Sequence, residues 1–152
     1  MHSLETAWVF ESPLEPLWSA LIEVGQWGGW WPGLERCELL EPADEWGVGA
    51  RYRQVWRLTP SRRVTLEVRV SEVIAPHLLE LHTTHGFSRW GLTEEDGLTL
   101  VHHTWVAEDP AACTVLLCAG ARGLARHLGL CLKEQGSWLR PLNEADGFPP
   151  WS

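Results

Sequence analysis

The chain has 152 residues, enough for one domain with a substantial core and too few for two. Its 45% apolar and 21% charged residues are ordinary for a globular protein, which excludes disordered and fibrous classes. Twelve basic against twenty acidic residues give a formal charge of −8, which opposes the counterion-release attraction behind nucleic-acid binding. Eleven tryptophans are the unusual number. A buried indole needs a partner for its N–H, so this many imply a thick core, an aromatic-lined cavity, or both. The four cysteines, Cys37, Cys113, Cys118 and Cys131, contain no Cys-x-x-Cys and no paired short spacing, so a reduced, cytoplasmic protein is expected. No basic-then-apolar leader opens the chain, and Val115 to Ala121 is too short to cross a bilayer before Arg122; neither secretion nor membrane insertion is expected.

Taken in order, Thr6, Trp8 and Phe10 alternate with Ala7, Val9 and Glu11 as a first strand. Ser12 then reads as an N-cap, Pro13 as the first helical residue and Glu15 as the partner in a Ser-x-x-Glu capping box, ahead of Leu17, Trp18, Leu21 and Ile22. Gly25 ends that helix. Gln26 to Gly33 holds too much Gly and Pro for regular structure and too much Trp for a solvent loop, so it reads as a structured lip over the core. From Glu35 onward the period becomes two. Strands are expected at Arg36–Glu41, Ala50–Leu58, Arg63–Val70, Leu78–Thr84, Phe87–Thr93 and Leu98–Ala107, with Glu94 to Gly97 as a turn. Arg51, Arg53, Arg57, Arg62, Arg63 and Arg69 cluster there and read as a solvated sheet face. Ala111 to Arg140 reads as one helix of about 45 Å, begun by Pro110 and stopped by Pro141, with Cys113, Leu117, Gly120, Leu124, Leu128, Cys131, Gln135 and Trp138 as its core stripe. Its glycines, Gly120, Gly123, Gly129 and Gly136, lower helix propensity and imply close approach of a backbone or open space beside the helix. Residues 141–152 read as a tail.

Several of these segments resemble the START-type, SRPBCC superfamily, in its polyketide cyclase/dehydrase-like branch. The resemblance rests on Phe10-Glu11-Ser12-Pro13-Leu14-Glu15-Pro16-Leu17-Trp18, Trp31-Pro32-Gly33, Gly47-Val48-Gly49-Ala50-Arg51-Tyr52, Val70-Ser71-Glu72-Val73-Ile74-Ala75-Pro76 and Gly97-Leu98-Thr99-Leu100. It spans Thr6 to about Arg140 with loose, fold-specific motifs that name no reaction. It implies an α+β helix-grip fold: one domain over residues 1–140, with a curved antiparallel sheet of six to seven strands wrapped around a long C-terminal helix. A hydrophobic cavity is implied between them. Members bind lipids, hormones or polyketides, and only some are catalysts. Pro16 in the first helical turn, the tandem Trp30-Trp31 and the Gly-rich last helix depart from the pattern and bear on the size of the cavity.

If Tyr52, Gln54 and Trp56 face the core, strand parity brings in Leu79, Leu81, Thr83 and His85, then Ser88, Trp90 and Leu92, then Leu100, His102 and Thr104. Buried polar groups need partners, which here are one another, trapped water or a ligand. His102 and His103 are adjacent and cannot both point inward; the apolar company of Leu98, Leu100 and Val106 favours His102, and Trp105 argues for His103. A metal site is not expected, because His82 and His85 fall on opposite faces and no third ligand has a fitting spacing. No activated nucleophile and no phosphate-cradling loop is present, and no cofactor is expected.

The favoured function is binding of a small hydrophobic, aromatic or polyketide-like molecule. Trp27, Trp30 and Trp31 would form the mouth. Tyr52, Trp56, Trp90 and Leu124 would form the wall, beside Leu117 and Gly120, with Gln54, Thr83, Ser88 and Thr104 as polar contacts. If the chain is an enzyme, the superfamily's cyclases imply aldol cyclisation and dehydration. His102 or His85 would then remove a proton, and Tyr52 or Gln54 would donate to the enolate. The alternatives are a non-catalytic lipid carrier or sensor, and a co-chaperone-like interaction module docking through the clustered arginines. The oligomeric state is not legible.

Overall fold

The structure, a computed structural model, describes residues 2–84, 86–107 and 114–141, apart from the side chains of His2, Ala107 and Pro141. Eight strands form one antiparallel sheet: β1 His2–Glu11, β2 Leu34–Glu41, β3 Arg51–Thr59, β4 Arg62–Ile74, β5 Leu78–Thr83, β6 Gly86–Glu95, β7 Leu98–Ala107 and β8 Cys131–Pro141. The spatial order is β2-β3-β4-β5-β6-β7-β1-β8. Helices α1, Leu14–Ile22, and α2, Thr114–Leu128, together with a 3₁₀ segment at Val24–Gly29, complete the described fold. This is the α+β helix-grip arrangement, with eight strands in place of six or seven.

Helix α1 buries Leu14, Leu17, Trp18 and Leu21, one stripe at three- and four-residue steps. The expected capping box does not form. Pro13 is the N-cap, the Ser12 hydroxyl donates to the Pro13 carbonyl, and the Leu14 N–H donates instead to the Glu94 carboxylate at 2.5 Å. Glu94, read from sequence as part of a turn, thus caps the helix from 80 residues away. Pro16 is tolerated because the first-turn N–H groups have no partner within a helix.

The single helix expected over Ala111 to Arg140 is replaced by a helix and a strand; residues 111–113, Cys113 among them, lie outside the described residues. Gly129, at φ +67°, ends α2: its N–H donates to the Arg126 carbonyl, and that of Leu130 to the Ala125 carbonyl. These two bonds are the Schellman pattern, with a glycine in the left-handed conformation a side chain resists. The chain then returns as β8 along β1, in a register that pairs Trp8 with Gln135 and Thr6 with Ser137, whose hydroxyls lie 3.1 Å apart. Cys131, Gln135 and Trp138 are therefore strand residues. The strand runs to Pro141; residues 142–152 lie outside the described residues.

Gly120 and Gly123 do allow the close approach expected of them. A Cβ on Gly120 would stand 2.6 Å from the Trp31 ring, and one on Gly123 would stand 1.9 Å from the Trp30 carbonyl oxygen. The lip thus lies directly on α2, and Trp31 Nε1 donates to the Leu116 carbonyl at 2.8 Å. On the opposite face of the sheet, Glu80 and Arg89 are also buried. Arg89 Nε donates to Glu80 at 2.9 Å, and His82 Nε2 lies 2.9 Å from the other carboxylate oxygen.

Candidate functional site

The concave face of the sheet, the lip and the first turns of α2 enclose a cavity of about 250 Å³. Strand β3 contributes Gln54, Trp56 and Leu58, and β4 contributes Arg62, Val64, Leu66 and Val68. Leu81 and Thr83 come from β5, Ser88 and Trp90 from β6, and His103 and Trp105 from β7. Trp27 and Trp31 of the lip and Leu116 and Leu117 of α2 close the other side. Tryptophans account for much of why the space is small. Trp31 is their hub, with ring centroids 5.1 Å from Trp56, 5.2 Å from Trp27, 5.4 Å from Trp30, 5.8 Å from Trp90 and 6.0 Å from Trp8. Such edge and offset contacts add to the stabilisation that area burial supplies.

The wall is polar at only a few points. Gln54 is committed within the fold, accepting from Trp56 Nε1 at 3.0 Å and donating weakly to Cys37 Sγ at 3.8 Å. Trp27 Nε1 donates to the Leu21 carbonyl. By contrast, Trp90 Nε1, Trp105 Nε1 and His103 Nδ1 are buried without a hydrogen-bond partner among the described residues. The His103 ring lies over Trp90 at 4.1 Å, tilted by 32°. Burial, with a smaller contribution from the adjacent His102, pushes the His103 imidazole down to about 3, so it is neutral at physiological pH.

The histidine expected inside is outside. Residues Val101, His103 and Trp105 of β7 face the core and cavity, whereas His102 is half-exposed on the other face, stacked on Trp138 with centroids 6.2 Å apart. Thr104 and Leu100 follow His102: Thr104 is buried but pairs with Glu5 and Arg89 on that face, and Leu100 is exposed. His85 lies outside the described residues. Tyr52 is on the inner face of β3 but beyond the cavity, packed on Gly25; burial raises its phenol above the usual range. Gly120 and Leu124 lie behind Trp31 in the core and do not line the cavity.

Gln54, Trp56, Thr83, Ser88 and Trp90 are on the lining, on the face strand parity gave them, and Trp27, Trp31 and Leu117 line the cavity as well. The lip is no mouth, however: Trp27, Trp30 and Trp31 are all buried, and Trp30 faces a separate surface cleft beside Arg126 and His127. The more exposed lining residues, Leu58, Arg62, Val64 and Leu116, put the opening at the β3–β4 hairpin and the start of α2. Sequence reading missed His103, Trp105 and Arg62. Arg62 was legible, since it shares strand parity with Val64, Leu66 and Val68.

The outer arginines are largely paired. Arg51 bonds Glu41 and Glu67, Arg53 lies within 3.8 Å of Glu38 and 3.6 Å of Glu67, and Arg57 and Arg63 share Glu35. Hydrogen bonds from Arg63 and Arg57 hold the Glu35 carboxyl below its usual range. A docking surface of free arginines is therefore not what these strands present. Among the described residues there is no cluster of three or more metal-ligating side chains, and no helix is long and apolar enough to cross a membrane.

No protein-family model matches the chain, and no curated protein matches it in sequence. Solved structures do match its fold. The Zhui aromatase/cyclase of Streptomyces sp. R1128 superposes with a TM-score of 0.69 at 14% identity, over 85% of this chain and 94% of that one. A START superfamily protein of Mycobacterium smegmatis gives 0.67 at 12% identity, over 85% and 98%. A conserved protein of Geobacillus kaustophilus gives 0.68 at 14% identity, over 89% and 98%. The chain thus shares the helix-grip fold of these structures.

Proposed function

We propose that this chain binds one small, mainly aromatic molecule of one or two rings between sheet and α2, without changing it chemically. The observation that carries this reading is a cavity of about 250 Å³ walled by Trp27, Trp31, Trp56, Trp90 and Trp105. A dry cavity of about 150 Å³ accepts benzene, so the space suits a naphthalene-sized ligand and is short for an extended polyketide chain. The fold likeness to an aromatase/cyclase is in keeping with an aromatic ligand. A carrier or sensor role is favoured over aldol catalysis by the chemistry of the wall. Among the described residues no carboxylate or lysine lines it, His102 is on the other face, and His103, held neutral down to about pH 3, is a poor proton acceptor. A ligand oxygen beside Trp90, Trp105 or His103 would satisfy a group now without a partner. The free thiols Cys37, Cys118 and Cys131 support a reducing, cytoplasmic setting.

The test is calorimetric titration with 2-naphthol, on wild type and on Leu66→Trp, which places an indole in the cavity. Saturable one-to-one binding in wild type, weakened at least about tenfold in a variant with an unchanged melting temperature, supports the reading. Equal binding by the two proteins would place the ligand elsewhere, and no binding by wild type would remove the reading.

A further inference from the structure

Resting on that reading, we infer that the cavity's ligand is an aromatic carboxylate, its body among the tryptophans and its anion held by Arg62 at the β3–β4 hairpin. Along the inner face of β4 the lining residues are Arg62, Val64, Leu66 and Val68, so a cation stands at the hairpin end of an otherwise apolar row, with Thr59 as its cross-strand partner. Among the described residues it is the only formally charged side chain lining the cavity at neutral pH, because the imidazole of His103 is uncharged. An arginine stem can lie along an apolar wall while its guanidinium stays at the rim.

The electrostatics at this end support an anion. Glu35, which lies opposite Arg57 and Arg63, is already shared by both of them. Arg62 itself makes no ion pair or side-chain hydrogen bond among the described residues. Among the described residues, Arg57, Arg62 and Arg63 against Glu35 give three positive charges and one negative, a local balance of +2 on a chain of net −8. Screening over roughly 8–10 Å at physiological salt lets that local balance, rather than the overall charge, govern a ligand at the mouth. A single guanidinium, with its paired N–H fork, matches one carboxylate; a dianionic phosphate would call for more donors. His103, Trp90 and Trp105 sit across the cavity on β6 and β7, so the polar features are separated by apolar wall.

The test compares 2-naphthoate with its neutral isostere 2-naphthamide by calorimetry at pH 7, on wild type, Arg62→Gln and Arg62→Lys. Wild type is expected to bind 2-naphthoate about tenfold more tightly than 2-naphthamide, the size of one charge-assisted bidentate contact. Arg62→Gln should remove that preference and leave 2-naphthamide binding unchanged, and Arg62→Lys should restore part of it. Equal affinity of wild type for the two probes would overturn the inference while leaving the cavity as an aromatic site. So would an equal loss of both in Arg62→Gln. Failure of wild type to bind either probe would remove the underlying reading, and the inference with it.

Discussion

The Trp31 indole occupies the place a side chain on Gly120 would need, with ring atoms 2.6 to 2.9 Å from that Cβ position, and its N–H donates to the Leu116 carbonyl one turn earlier. Helix and lip are thus one packed unit. Alanine at position 120 would gain about 1 kcal/mol in helix propensity but force the ring aside. Overpacking of this kind costs about 1–3 kcal/mol, so Gly120→Ala should lower stability by up to about 2 kcal/mol in urea melts. At Gly123 the obstacle is the Trp30 carbonyl at 1.9 Å, backbone that cannot rotate away. Gly123→Ala should therefore be the worse of the two, losing more than about 3 kcal/mol. If both alanines proved neutral, the lip could not lie on α2 in this way.

Gly129 poses a different demand. No atom of the described residues lies within 4 Å of its Cβ position, so its φ of +67° is what resists a side chain. Gly129→Ala should cost about 1 kcal/mol and Gly129→Asn less, because asparagine tolerates the left-handed region. A gain in stability from alanine would instead support a helix running through this point.

That glycine also explains what was legible in the sequence and what was not. Gly129 followed by apolar Leu130 carries the stop signal of a helix, but Gly120, Gly123 and Gly136 dilute it, and the stripe through Cys131, Gln135 and Trp138 continues the helical spacing by coincidence. Strand β8 sits at the sheet edge and is mostly exposed, so it shows little of the two-residue alternation that revealed β3 and β4. On β7 both faces are buried in part: Val101, His103 and Trp105 inside, Thr104 and Val106 outside. Parity could give the alternation there but not its direction. Where one face is wet, as on β3, Gln54 and Trp56 were placed correctly from sequence.

The buried Glu80–Arg89 pair makes a separate prediction. Burial alone would raise the Glu80 carboxyl, but hydrogen bonds from His82 and Arg89 outweigh it and hold it below its usual range. Arg89→Met leaves that carboxylate buried without its main partner, a change that typically costs about 3–5 kcal/mol. Because the folded-state value is lowered, the pair's contribution is present above about pH 4.5 and is lost as pH falls below it. Urea melts at pH 7 and pH 3.5 should therefore differ less in Arg89→Met than in wild type. Equal pH sensitivity of the two proteins would show that Glu80 draws no stability from the pair.

His103 acts in the opposite sense and in a different window. In the unfolded chain its imidazole takes a proton near pH 6.5, whereas in the fold burial holds it neutral until about 3. Between those values the unfolded state binds a proton the native state refuses, so stability falls as pH drops from 6.5, by up to about 1.4 kcal/mol per unit. By pH 5 that amounts to about 2 kcal/mol from this one residue. His103→Phe keeps a flat ring against Trp90, 4.1 Å away, and removes both the titration and the unpartnered Nδ1. The variant's stability should be nearly level across pH 6.5 to 5, so wild type and variant diverge as the solution is acidified. Parallel curves would mean that His103 takes up its proton in the folded protein, which would make it available as a proton-transfer group in the cavity.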